Sequence, residues 1–250
     1  MRLHVIGTGS SGNAYLLMDQ ENGEALLLDA GVRANRITEA IFQTQAKVTG
    51  CLVTHEHKDH CLAVADLDKL GIECYGTGLT AQAVGHMHTI RPYDPTLGNV
   101  HQDIKPFGDS FLVMAFRTNH DAVDPCGFLI TNTRTGERMV YATDTYYLAY
   151  RFPGIHYWLI ECNYCDDMLV AEDTPPQLAR RLNLSHMSLN RLCQLFQAND
   201  LSTCRQIILC HLSHDRGDEH RMTEAVRNAA HKPVSVAKPG LAFDLNLKPF

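Results

Sequence analysis

The sequence predicts one mixed α/β domain spanning residues 1–250. Two patterns carry this expectation. Short apolar runs bounded by Gly, Asp or Asn recur along the chain, as strands do, and segments with apolar residues at three- and four-residue spacing alternate with them, as helices do. A chain of 250 residues, 45% hydrophobic and 20% charged, is also long enough to bury one large core.

The elements follow in order. Leu3 to Ile6 reads as a strand, then a turn at Gly7-Thr8-Gly9-Ser10-Ser11-Gly12-Asn13, then strands at Ala14 to Met18 and Ala25 to Leu28, a meander. Asn35 is placed to cap a helix whose Ile37, Ala40 and Ile41 share a face. Val48 to Val53 is a buried strand. Leu62 to Leu70 has helical spacing and stops at Gly71; Ile72 to Tyr75 is a strand, and Leu79 to His88 a helix. Residues 91–109, with Pro92, Pro95 and Pro106, read as loop. Phe111 to Phe116 is a strand, and Phe128 to Thr131 with Arg138 to Thr143 form a hairpin turning at Thr135-Gly136. Trp158 to Ile160 is a strand. Leu178 to Leu182 and Leu189 to Phe196 are helical, Gln206 to Cys210 is a strand and Glu219 to Ala230 a helix; Val234 to Ala237 and Leu241 to Leu245 end the chain as strands.

Composition narrows the function. No apolar stretch approaches the ~20 residues needed to cross a membrane, and the N-terminus has no apolar signal core. Nine cysteines without repeating spacing argue for reduced thiols in a cytoplasmic protein, and the Cys162-x-x-Cys165 pair reads as ordinary thiols beside a strand end. The net charge is −6 but uneven: residues 1–175 hold 12 basic and 22 acidic side chains, residues 176–232 hold 8 and 5. Bound divalent cations would offset part of the acidic excess. Arg180, Arg181, Arg191 and Arg205 read either as a phosphate-binding face or as solvated helix faces.

The chemistry concentrates at Thr54-His55-Glu56-His57-Lys58-Asp59-His60, directly after a buried strand. Imidazole is the commonest side-chain ligand for transition metals, and a carboxylate can bridge two of them. Other strands end in the same residue types: His120, Asp144 and His211. His55, His57, Asp59, His60, His120, Asp144 and His211 are too many ligands for one tetrahedral zinc and suit two ions sharing a carboxylate. Lone His86, His88, His101 and His156 receive no role.

This pattern, with Gly-Ser-Ser-Gly-Asn near the start, Leu28-Asp29-Ala30-Gly31, Ala142-Thr143-Asp144-Thr145 and His211-Leu212-Ser213, resembles the metallo-β-lactamase fold superfamily, and within it the YycJ/WalJ group related to RNase Z. The resemblance covers nearly the whole chain. It implies a four-layer αββα sandwich and a metal-dependent hydrolase. It further implies two divalent ions, Zn²⁺ or Mn²⁺: His55, His57 and His120 on the first, Asp59, His60 and His211 on the second, Asp144 bridging, and Asp29 orienting the site from behind. Asp59 would also orient the shared hydroxide that attacks phosphorus, with His186 or His214 donating a proton to the leaving oxygen. Leu184-Ser185-His186-Met187-Ser188 departs from the Gly-His-Leu-Ser type of the relatives, and Asp215-Arg216-Gly217-Asp218 stands where they carry an asparagine. Ser10, Ser11, Asn13 and Ser213 are candidates for substrate binding. The implied reaction is phosphodiester hydrolysis by a DNA exonuclease; the alternative substrate is a small or cyclic nucleotide. DNA or a small phosphodiester is the expected partner, no membrane is, and a homodimer is left open.

Overall fold

The computed structural model describes residues 1–94, 104–169 and 174–246 of the chain. The expected loop at 91–109 falls partly outside these residues. The chain divides into two compact units: the first holds Met1–Arg117, Ala122–Glu137 and the segment from Lys238 onward, the second Thr118–Asp121 and Arg138–Ala237.

In the first unit, β1 (Arg2–Gly7), β2 (Ala14–Met18) and β3 (Glu24–Leu28) form the predicted antiparallel meander. Helix α1 (Ala34–Thr44) then carries the chain back so that β4 (Lys47–Leu52) runs parallel to β3, a return that only a crossover permits. Next come α2 (Lys58–Cys61), α3 (Val64–Lys69), β5 (Cys74–Gly76), α4 (Gly78–Val84) and β6 (His88–Thr89). With the strand Ala242–Asp244, the last among the described residues, beside β1, these strands make a seven-stranded sheet. Leu16, Leu27, Ile37, Cys51, Val53, Val64 and Leu67 are buried in one core cluster, as the apolar runs predict. The same unit holds the antiparallel strands β7 (Ile104–Phe107), β8 (Phe111–Arg117) and β9 (Cys126–Asn132).

Several boundaries differ from expectation, each for a physical reason. Asn35 does not cap α1: the helix begins two residues earlier than that cap would set it, at Ala34 after an extended Arg33 that offers no side-chain cap. The helix expected at 62–70 forms as α3 but starts only at Val64, and a separate short helix, α2, precedes it within the ligand loop. The carbonyls of Asp59 and His60, which a continuous helix would use for Ala63 and Val64, instead accept the N–H groups of Asn13 (2.7 Å) and Ala30 (2.8 Å). Helix α4 stops at Gly85 (φ +74°), and His88–Thr89 pairs with β5 as an edge strand. Residues 104–107 are strand, not loop, because β7 lies at a sheet edge, where Pro106 can lack an N–H without breaking a ladder. The turn at Thr135-Gly136 forms as predicted, with Gly136 at φ +72° donating to the Asn132 carbonyl.

In the second unit, β10 (Arg138–Ala142), β11 (Tyr157–Glu161), α5 (Asp166–Leu169), α6 (Pro176–Ser185), α7 (Leu189–Ala198), β12 (Gln206–Cys210), α8 (Glu219–Ala230) and β13 (Val234–Val236) follow in order. The four strands are parallel, in the order β10-β11-β12-β13. All of β11 is buried, and Trp158 is packed edge-on between Phe152 (5.6 Å) and Phe196 (5.4 Å). Ser188 and Asp218 cap α7 and α8 by accepting the N–H groups of Arg191 and Arg221. Because Ala142 pairs with Ile160 and Glu161 with Cys210, the carboxyl ends of β10, β11 and β12 lie side by side, where parallel sheets present ligands.

Candidate metal centre

The first unit carries the His-x-His-x-Asp-His loop, and backbone contacts fix its shape. Gly31 passes so close to it that a Cβ there would lie 1.7 Å from the Asp59 carbonyl oxygen. Asn13 and Ala30 donate to this loop, and Ala63 donates to the Ala30 carbonyl (2.8 Å). Behind the loop sits Asp29, fully buried at φ +57°. Its carboxylate accepts from the Thr54 N–H (2.8 Å), the Thr54 hydroxyl (3.0 Å) and His60 Nδ1 (2.7 Å). A carboxylate on Nδ1 puts the His60 proton there and leaves Nε2 as the nitrogen that could hold a metal. Nε2 lies 3.5 Å from Asp59 Oδ2 and 3.2 Å from the Asn13 amide nitrogen. His55 Nε2 and His57 Nδ1 converge to 3.1 Å. Burial, with the charge of Asp29 nearby, pushes the Cys61 thiol up to about 11, so it stays protonated beside this loop.

The second unit carries its own cluster of His120, Asp144 and His211, together with a carboxylate that sequence reasoning missed. His120 Nδ1 donates to the Ser185 carbonyl (2.8 Å), and Nε2 lies 3.7 Å from Asp144 Oδ2 and 3.3 Å from Asp121. Burial lowers the His120 pKa despite Asp144. Asp144 (φ +46°) accepts the Thr143 hydroxyl, and His211 (φ +53°) follows β12 directly. Glu161 ends β11 fully buried. Its Oε1 is 2.6 Å from His186 Nδ1 and 3.1 Å from His211 Nδ1, while Oε2 accepts the N–H groups of Thr145 and Met187, both at 3.0 Å. Burial opposes the Glu161 charge, but His186 and His211 outweigh it and its pKa falls. Burial likewise opposes a cationic His186, and Glu161 outweighs it, so that pKa rises. The rings of His186 and His211 stack at 5.5 Å. One donor atom from each of Asp144, Glu161, His186 and His211 lies within 4.8 Å of the others.

The other predicted residues are placed as follows. Asn13 is buried, and its amide knits the glycine turn by exchanging bonds with Gly9 as well as meeting His60. Ser10 and Ser11 are exposed in that turn. The Ser213 hydroxyl accepts the Arg216 N–H, and His214 is fully exposed beside Asp215 (3.0 Å). Cys162 and Cys165 are buried free thiols, and burial raises both. Of the four late arginines, Arg181 pairs with Asp121 and Arg191 with Asn183. Glu161 carried a legible signal, since it is a carboxylate at the end of an apolar strand like the others. Ser185 carried none, because it acts through its carbonyl.

A donor set of imidazole nitrogens and carboxylate oxygens, with Nδ1 atoms of His60, His120 and His211 held by acceptors, fits divalent zinc or manganese. No helix among the described residues is long and apolar enough to cross a membrane. A family model described as the Beta-lactamase superfamily domain matches residues 25–212. Exodeoxyribonuclease YycJ of Bacillus anthracis is 32% identical over 230 residues, covering 86% of this chain and 84% of its own. Exodeoxyribonuclease WalJ of Streptococcus pneumoniae is 28% identical over 255 residues, covering 97% and 91%. Among solved structures, the metallo-β-lactamase fold protein YhfI from Bacillus subtilis has a TM-score of 0.70 at 18% identity, covering 97% of this chain and 99% of that one.

Proposed function

Because the chain belongs to the β-lactamase superfamily, with its αββα fold, and is a metal-dependent hydrolase, we propose that it is a two-metal phosphodiesterase that shortens DNA from an end. The observation that carries the chemistry is the row of Asp144, Glu161 and His211 at adjacent parallel strand ends, with the imidazoles oriented through Nδ1. The DNA substrate draws support from relatives named as exodeoxyribonucleases, matched over 84% and 91% of their length.

His55, His57 and His120 are proposed to hold one ion and Asp59, His60 and His211 the other, with Asp144 shared. Such ions, Zn²⁺ or Mn²⁺, supply Lewis acidity and bring the pKa of bound water near neutral. Asp29 keeps His60 in the ligating tautomer, and Thr54 anchors Asp29. Asp59 would orient the nucleophile as well as ligate. Glu161 holds Nδ1 of His186 and favours its doubly protonated, cationic ring, whose Nε2–H is proposed to pass its proton to the departing oxygen, leaving neutral His186. His214, exposed and paired with Asp215, is the less suitable donor. Ser10, Ser11, Asn13 and Ser213 remain the proposed substrate contacts, with Asn13 also steadying His60. Reduced buried thiols accord with a cytoplasmic setting.

The test is incubation of protein loaded with Zn²⁺ or Mn²⁺ with end-labelled single- and double-stranded DNA and with cyclic nucleotides. Stepwise shortening of DNA by wild type and its loss in Asp144→Ala is the expected result. Hydrolysis of cyclic nucleotides with DNA untouched would replace DNA by a small phosphodiester, and no hydrolysis of either would refute the phosphodiesterase reading.

A further inference from the structure

The second unit contains a cavity of about 400 Å³ that no ligand residue lines. Its walls include Tyr146, Tyr147, Tyr150, Arg191, Met187 and Leu195. This volume lies in the range of small-molecule sites. The wall is tied to the candidate centre by its own backbone. Tyr146 stands two residues after Asp144, and its N–H donates to the Asn119 carbonyl (3.0 Å), next to His120. Met187 follows His186, and its N–H is held by Glu161. The Tyr147 carbonyl accepts from the Asn119 amide (3.0 Å) and the Thr145 hydroxyl (2.8 Å).

The lining also has a definite chemistry. The Arg191 guanidinium is clamped by the carbonyl and side-chain oxygens of Asn183 at 2.6 and 2.7 Å, and it lies 5.4 Å from the Tyr146 ring centroid. It is a fixed, flat cation beside an aromatic face. Tyr147 is 55% exposed, so its ring is accessible to a ligand entering the cavity. Buried Met187 and Leu195 make the apolar floor. Flat aromatic walls, a planar cation and an apolar floor match a nucleobase: aromatic side chains stack on any base, and arginine adds charge for its phosphate.

We propose that this cavity takes a nucleobase of the substrate, leaving the attached phosphodiester at Asp144 and His186. The preferred substrate is then a single-stranded or frayed end, whose base has already left its stack. The inference rests on the phosphodiesterase reading but is tested apart from it. Calorimetry on the metal-loaded, full-length protein compares thymidine 5′-monophosphate with 2-deoxyribose 5-phosphate. The base is expected to tighten binding by about tenfold or more. Cleavage of a single-stranded oligonucleotide is then compared with that of the same strand ending in abasic sites, for wild type, Tyr146→Leu and Arg191→Gln. Wild type is expected to prefer the base-bearing end by a similar factor, and both variants to narrow that ratio. Equal binding of the two probes overturns the proposal without any variant having to fold. DNA cleavage indifferent to terminal bases overturns it while sparing the nuclease reading; base-dependent binding without DNA cleavage sustains it while the nuclease reading fails.

Discussion

Replacing Gly31 by alanine tests whether backbone contact shapes the ligand loop. The added methyl would lie 1.7 Å from the Asp59 carbonyl oxygen, 2.1 Å from its carbon and 2.6 Å from the His60 nitrogen. All three are main-chain atoms, so no side chain can swing aside, and the loop has to retreat by more than about 1 Å to restore an ordinary contact. That retreat stretches the bonds from Asn13 to the Asp59 carbonyl and from Ala30 to the His60 carbonyl, with Ala63 to Ala30 beside them. Three buried backbone bonds at about 1 kcal/mol each, with about 1–3 kcal/mol of overpacking, give a loss of roughly 4–6 kcal/mol. For a chain of this length that lowers the melting temperature by about 10–20 °C. It also carries Asp59 and His60 off their positions, so bound metal falls by about half or more. The assay is scanning calorimetry with metal analysis of the same samples. Gly78→Ala serves as control, since nothing lies within 4 Å of its added methyl. A Gly31→Ala protein that melts within a few degrees of wild type and keeps its metal would refute the reasoning.

Three other outcomes are expected. Asp29→Asn keeps the shape but removes the charge that fixes His60, and should weaken metal binding by about 10–100-fold in competition with a chelator; unchanged affinity would deny Asp29 its orienting part. In metal-free protein, the lowered Glu161 pKa contributes stability that is lost as pH falls through the folded value, whereas the raised His186 pKa contributes stability present below its ordinary value near 6.5 and lost as pH rises through the folded value. Urea unfolding from about pH 4 to about pH 8 should therefore show a maximum between the two that Glu161→Gln flattens, and identical profiles would contradict the pairing. A thiol reagent at neutral pH should label native protein slowly and at Cys61 and Cys193 first, because the other seven cysteines are buried; rapid labelling of Cys162 or Cys165 would count against the packing around β11.

Much of this was legible in the sequence because the signals are side chains. The apolar runs of β2, β3, β11 and β12 specify buried strands, and a histidine or aspartate just past such a run is a candidate ligand, though Asp19 past β2 pairs with Arg134 and Asp29 past β3 holds His60 instead. What stayed hidden acts through the main chain. Nothing in the letters of residues 59–64 says that Asn13 and Ala30 will take the carbonyls that a continuous helix needs. Ser185 serves His120 by its carbonyl, which any residue could offer. Pro106 is excluded from a central strand but not from an edge, and edge position is a property of the whole sheet. Glu161 was readable, since it ends an apolar strand as Asp144 nearly does, but its part depends on His186, which lies 25 residues further on.

One backbone feature recurs in both units. Asp29, Asp144 and His211 each follow a strand and each adopts a positive φ, at +57°, +46° and +53°. A side chain with a Cβ is strained there by roughly 1–2 kcal/mol. Continuing the strand would have been easier and would have sent these groups alternately to the two faces of the sheet. The left-handed residue instead turns each one across the strand end. The compensation is local in all three cases: Thr54 and His60 grip Asp29, the Thr143 hydroxyl grips Asp144, and Glu161 with Asn163 grips His211. Glycine would adopt the same backbone without strain, so its absence at these three positions means the side chain is what the conformation serves. Strand ends supply rigidity, left-handed turns supply direction, and neighbouring polar groups hold the result in place.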